Sequence, residues 1–130
     1  MTGQPLPQVT PLSRPFWDAT REARLVIPRC TTCGQFCWLP QLACPRCRTE
    51  TLEWTDVSGR AEVYSYVTVH TSMTPGIEAP YTVAVVTLEE GPRFFTNIVD
   101  VDPAEVRIGM PVRVKFEDAG PVSLPRFAPR

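Results

Sequence analysis

Two Cys-x-x-Cys pairs, Cys30 with Cys33 and Cys44 with Cys47, stand ten residues apart, and no other feature constrains the fold of this chain as much. Pairs so spaced fold as short knuckles that present four thiolates to one tetrahedral metal ion. Gly34 follows Cys33 and Pro45 follows Cys44, so a tight turn can form at each pair and two rubredoxin-like knuckles can face each other. Four protein ligands close the coordination sphere, which makes the expected site structural, with no position for water or substrate. Zinc is the expected ion; mononuclear iron accepts the same thiolates. Disulfides, a redox pair and an iron–sulfur centre are the competing uses. Disulfides call for an oxidising compartment. Against one, Pro5, Pro7, Pro11 and Pro15 break the first apolar stretch, and no secretory segment is visible. No run approaches the ~18 apolar residues of a membrane span, so a cytoplasmic protein is expected. Cys37, beside Trp38 within the spacer, reads as a small buried residue rather than a ligand or reactive thiol.

A chain of 130 residues that is 43% hydrophobic can build one compact core, or a small core plus a metal-stapled module. Three zones are expected: an N-terminal extension and helix over 1–28, the zinc ribbon over 29–54, and a β-barrel with a Pro-rich tail over 55–130. Residues 1–12 are Pro-rich and read as extended. Ser13 can cap a helix that Pro15 begins, spanning Pro15 to Arg24, with Phe16, Ala19, Ala23 and Val26 as one apolar stripe. Leu25-Val26-Ile27 leads into the first knuckle, and Phe36-Cys37-Trp38-Leu39 reads as the apolar strand of a hairpin that Pro40 ends.

Beyond Trp54 the period changes to two. Strands are expected at Ala61–His70, Tyr81–Leu88, Arg93–Val99 and Val112–Phe116, after a turn-like entry at Val57-Ser58-Gly59-Arg60. Glu89-Glu90-Gly91-Pro92 has the composition of a hairpin turn, and Gly109-Met110-Pro111 suits a barrel corner. About five short strands without room for parallel crossovers indicate a mainly β protein whose C-terminal part is a five-stranded Greek-key OB-fold barrel.

Over nearly its whole length the chain resembles a family of zinc-ribbon/OB-fold proteins associated with acyl-CoA and thiolase-like enzymes, long catalogued as a domain of unknown function. The resemblance rests on Phe16-Trp17, Arg29-Cys30-Thr31-Thr32-Cys33-Gly34 with Pro40, and Cys44-Pro45-Arg46-Cys47. It continues through Trp54, Ser58-Gly59, Val63-Tyr64-Ser65, Ala79-Pro80-Tyr81, Leu88-Glu89-Glu90-Gly91 and Ile108-Gly109-Met110-Pro111-Val112. Cys37, and Arg60-Ala61 after Gly59, depart from the pattern. The resemblance implies a non-catalytic accessory subunit of a thiolase-like acyltransferase or aldolase, in lipid or steroid side-chain metabolism. A hotdog-fold hydratase and acyl-CoA are the further partners it implies.

The residues themselves name few alternatives. His70 is the single histidine, at the end of an expected strand, and no nucleophile elbow, phosphate loop or dinucleotide fingerprint is present. Arg60 and Arg93 are candidates to neutralise coenzyme A phosphates, and Tyr81 and Phe95 to line an acyl path. Phe16 and Trp17 on the helix, with Phe127 in the tail, are large aromatics outside the clearest barrel segments and so are candidate partner anchors. A single-stranded nucleic-acid-binding module is the alternative, with Tyr64, Tyr66, Phe94 and Phe95 as stacking groups. Charge opposes it: from Thr55 onward seven basic residues face ten acidic ones, and the whole chain carries a net charge of −1.

Overall fold

The computed structural model describes residues 5–72 and 74–130; residues 1–4 of the expected extended leader lie outside it. Among the described residues there are one α-helix, seven strands and a 3-10 turn. Helix α1, Arg14–Arg21, has Pro15 in its first turn, where a missing N–H costs nothing. Ser13 occupies the N-cap, but its hydroxyl accepts the Thr10 N–H at 3.0 Å and tightens the preceding turn rather than capping the helix. The helix is shorter than Pro15–Arg24 because the chain turns left-handed at Ala23 (φ 57°), and the Arg24 N–H reaches back to the Ala19 carbonyl. The buried stripe is therefore Phe16, Ala19 and Thr20; Ala23 is exposed, and Val26 belongs to the first strand.

Strands β1 (Val26–Cys30) and β2 (Leu52–Asp56) pair antiparallel, from Val26 opposite Asp56 to Cys30 opposite Leu52, and carry the two knuckles between them. The expected strand at Phe36–Leu39 does not form. Only an isolated bridge joins Arg29 to Phe36, and the Cys37 N–H donates to the Pro28 carbonyl at 2.8 Å. The spacer must bring Cys44 back to Cys33 within ten residues. It does so as an irregular loop whose Phe36, Cys37 and Trp38 turn inward.

The other strands are β3 (Arg60–Val69), β4 (Tyr81–Leu88), β5 (Arg93–Ile98), β6 (Pro111–Asp118) and β7 (Ser123–Pro129), closed into a barrel in the order β3-β4-β5-β7-β6. This five-stranded closure is the OB-fold. β4 shows why it forms: Thr82, Ala84, Val86 and Leu88 are buried, while the alternate residues Tyr81, Val83, Val85 and Thr87 face outward. Gly91 (φ 121°) closes the β4–β5 hairpin, donating its N–H to the Leu88 carbonyl at 2.8 Å. At Gly59 (φ 79°) a Cβ would stand 2.5 Å from Val114 Cγ1, so only glycine lets β3 enter against β6.

Strand β7 corrects the reading of the C-terminus as a tail. It pairs with β6 from Ser123 opposite Asp118 to Pro129 opposite Val112, and meets β5 in parallel at Ile98–Phe127. Phe127 is 0% exposed at the centre of the barrel, so it cannot anchor a partner. Phe16 is likewise buried, at 3%. Its ring lies 4.9 Å from those of Trp17 and Trp38 and 6.5 Å from Trp54. Trp38 reaches Phe94 at 5.1 Å, and Phe94 reaches Phe127 at 6.0 Å. One run of rings thus joins helix, ribbon and barrel into a single core. Thr20 fastens α1 to that core, donating to the Trp17 carbonyl and accepting the Ser123 N–H of β7.

Candidate functional site

The metal site is built from the two knuckles. The Sγ atoms of Cys30, Cys33, Cys44 and Cys47 all lie within 4.8 Å of one another, with Cys30–Cys47 and Cys33–Cys44 each at 3.8 Å. A tetrahedron of thiolates ~2.3 Å from zinc has edges of about 3.8 Å, so the four sulfurs fit the ion. Each knuckle turns in the same way. The Gly34 N–H returns to the Cys30 carbonyl and the Arg48 N–H to that of Cys44, with Gly34 and Arg48 both left-handed at φ 76° and 59°. The backbone N–H groups of Cys33 and Cys47 point at the sulfurs of Cys30 and Cys44.

These donors shape the acidity of the thiols. The Thr51 hydroxyl, 3.1 Å away, and then the Cys33 N–H lower the Cys30 thiol to about 5. The Cys47 N–H lowers Cys44. Cys47 is pushed up to about 12, first by its hydrogen bond with Cys33 and then by burial. Four sulfurs this close need a cation before all can ionise, and a zinc ion supplies that charge. Cys37 is buried beside the cluster but outside the set of four, and burial raises its thiol. The site is thus a closed structural zinc centre.

A second feature lies where α1, the ribbon spacer and the barrel meet: a groove of about 560 Å³. Trp17, Trp38, Phe94 and Phe95 line it, with Tyr81 and Val83 from the outer face of β4. Its polar lining residues are Gln8, Ser13, Thr74, Thr96, Asn97 and Arg126. Arg126, whose side chain is 14% exposed, donates to Asn97 Oδ1 and lies 3.6 Å from Glu117 Oε1, while Asn97 donates to the Thr82 carbonyl. The guanidinium is therefore held in place. On the rim, Leu39 and Phe95 are 69% and 76% exposed.

The structure brings Phe16, Trp17, Tyr81 and Phe95 to this one groove. It leaves Arg60 and Arg93 elsewhere. Arg60 forms a two-pronged pair with Glu89, Nε to Oε2 at 2.8 Å and Nη2 to Oε1 at 2.7 Å. Arg93 stacks its guanidinium on Tyr64, 3.8 Å from the ring centre, where a bulge in β3 turns that ring outward. Both arginines lie outside the groove lining, so the structure does not bring them together with Tyr81 and Phe95. Sequence reasoning missed Trp38, Asn97 and Arg126 as groove residues. The sequence places Trp38 in a hairpin strand of the ribbon, and nothing local marks the other two, because their meeting depends on β7 closing beside β5.

Residues 17–53 match the family described as ChsH2, rubredoxin-like zinc ribbon domain, and residues 54–117 match ChsH2, C-terminal OB-fold domain. The chain is 40% identical over 116 residues to a probable enoyl-CoA hydratase alpha subunit of Thermomonospora curvata, a match covering 88% of this chain but 36% of that protein. It therefore spans about a third of that relative's length. A DUF35 domain-containing scaffold protein of Methanocaldococcus jannaschii is 39% identical over 103 residues, 77% of this chain and 73% of the relative. Among solved structures, a chain of the Ltp2-ChsH2(DUF35) aldolase superposes with a TM-score of 0.89 at 35% identity, over 95% of this chain and 98% of that one. A DUF35 protein from Sulfolobus solfataricus, at 15% identity and a TM-score of 0.66, shares the fold. The chain belongs to the ChsH2/DUF35 family, which joins a rubredoxin-like zinc ribbon to an OB-fold.

Proposed function

We propose that this chain is a non-catalytic accessory subunit that binds a thiolase-like enzyme, an aldolase or acyltransferase acting on acyl-CoA in lipid or steroid side-chain metabolism. The observation that carries this reading is the superposition on the ChsH2(DUF35) chain of an aldolase complex over almost the full length of both chains. Relatives named as DUF35 scaffold proteins support the non-catalytic role. The residues agree: four cysteines are committed to a closed metal site, and His70 is exposed in the loop after β3. General acid–base chemistry needs a titratable group with a positioned partner. Relatives named as hydratase alpha subunits support a hydratase, by the family resemblance one of the hotdog fold, as a further partner. The alternative, a single-stranded nucleic-acid-binding module, is less well supported, because Phe94 is buried, Arg93 stacks on the Tyr64 ring, and acidic residues outnumber basic ones in the barrel.

Co-expression with the thiolase-like product of a neighbouring gene, followed by size-exclusion chromatography with light scattering, tests the reading. A stable complex with higher enzyme activity or solubility than the enzyme alone is expected. Separate elution of the two chains at micromolar concentration, together with unchanged enzyme activity, would overturn it.

A further inference from the structure

We propose that the second half of β3 is a self-association edge, along which two copies of this chain pair antiparallel over residues 65–69 about a two-fold axis at Val67. This goes beyond the accessory-subunit reading and does not rest on it. The barrel closes unevenly around β3. β6 pairs with it only from Arg60 opposite Arg113 to Glu62 opposite Pro111, and the last backbone bonds between the two join Val63 to Met110 and Gly109. β3 then runs on against β4 alone, from Ser65 opposite Val85 to Val69 opposite Tyr81.

Alternation fixes where its unused groups point. Leu88 donates its N–H to the Pro92 carbonyl on the β5 side, and Glu89 donates to the Arg60 carbonyl on the β3 side. The β4 residues that bond β3 are therefore Tyr81, Val83 and Val85, and their partners are Val69, Val67 and Ser65. Tyr66 and Thr68 turn their N–H and C=O groups the other way. Among the described residues no strand or loop backbone bonds them there. An open edge of this kind is a template for another strand.

The segment suits a copy of itself. Two-fold pairing at Val67 sets Tyr66 of each copy opposite Thr68 of the other, so every outward N–H and C=O of these two residues finds a partner. Val67 then faces Val67 in a non-hydrogen-bonded pair, where side chains approach most closely, and a β-branched residue that is 60% exposed becomes covered. Charge favours the same occupant: Ser65-Tyr66-Val67-Thr68-Val69 holds no acid or base, so identical strands meet without repulsion, and an acidic or basic partner finds no counter-charge. The devices that usually guard an edge, a lysine, a proline or an inward-pointing charge, are missing from these five residues.

Zinc-loaded full-length chain is followed by sedimentation velocity from about 1 to about 500 µM, a range that spans the weak affinities of small interfaces. A concentration-dependent shift from one chain to two is expected, with no larger species, since a two-fold contact uses up the edge. Val67→Lys sets like charges on the axis and should weaken association at least tenfold, with the melting temperature of the dilute chain unchanged, whereas Val67→Ile should keep it. Phe95→Ser, at an exposed position on β5 two strands away, should also keep it. Under diamide, Val67→Cys should form an interchain disulfide; Ser65→Cys, which stands opposite Val69, should behave as the parent chain does.

A chain that sediments as a monomer throughout this range would overturn the proposal, and so would a dimer that Val67→Lys leaves intact or that Phe95→Ser abolishes. The thiolase-like enzyme is then added. If the parent chain never self-associates and Val67→Lys loses that enzyme, the edge belongs to the enzyme, and the proposal fails while the accessory-subunit reading stands. Self-association through Val67 without any complex with the enzyme would sink the accessory-subunit reading alone.

Discussion

Cys44 and Cys37 are both buried in the same small cluster, yet only one completes the tetrahedron of sulfurs. Replacing Cys44 by Ser is expected to release the zinc and expose the ribbon aromatics, whereas Cys37→Ser should keep one metal per chain; elemental analysis of the purified variants decides both. Because thiolates bind zinc and thiols do not, metal content should also fall on acidification, in the direction set by protonation of Cys30 and Cys44. Gly59 carries a different demand. Gly59→Ala places a methyl group in contact with Val114 and forces a left-handed φ, so a loss of about 1–3 kcal/mol is expected in denaturant melts. Phe127 fills the barrel centre, and Phe127→Ala should cost about 3–5 kcal/mol. A Phe127→Ala chain as stable as the parent would contradict its place in the core.

Among the elements, β4 and β7 mark the two extremes of what the amino-acid order reveals. Tyr81–Leu88 alternates residue by residue, and that period is the strand's own signature. Ser123–Pro129 carries Pro125 and Pro129, which read as breakers, and its buried residues Ser123 to Pro125 run consecutively instead of alternating. What makes it a strand is distant: β6 supplies its partner along seven register positions, and Thr96 Oγ1 donates to the Pro125 carbonyl at 3.1 Å. Local propensity cannot report a pairing of that kind, and the groove was hidden for the same reason, since Trp17, Phe95 and Arg126 come from distant positions on the helix, β5 and β7. The cysteine spacing, by contrast, named the metal ligands outright, because the geometry of four thiolates depends on short-range turns. A chain truncated after Val122 should lose the cooperative thermal transition, since the barrel then opens between β5 and β6. Helix α1 is tied to the end of β6 by Arg21 and Asp118, 3.0 Å apart. The Gly120 N–H, followed by Arg21, holds the Asp118 carboxyl below its usual range. That stabilisation is present above the ordinary carboxylate pKa and fades as pH falls below it. Asp118→Asn should therefore show a smaller drop in melting temperature between neutral and strongly acidic buffer than the parent chain.

For the molecule as a whole, the run of rings from Trp54 through Phe16, Trp38 and Phe94 to Phe127 is the feature with the widest reach. Zinc sites in isolated finger peptides supply apparent free energies of ~10–16 kcal/mol. Here the ribbon that zinc stabilises also supplies Trp38 and Trp54 to the barrel's own packing. Removing the metal with a strong chelator should thus lower the melting temperature of the entire chain in one transition, and two separated transitions would show ribbon and barrel to be independent. The same rings bear on inheritance. The family boundary at residues 53 and 54 cuts through β2, Leu52–Asp56, and leaves Trp54 on one side and its neighbour Phe16 beyond the other. A recombination event at that point would strand half a strand and half an aromatic cluster in each product, so genes that exchange this segment are expected to pass ribbon and barrel on as one indivisible cassette.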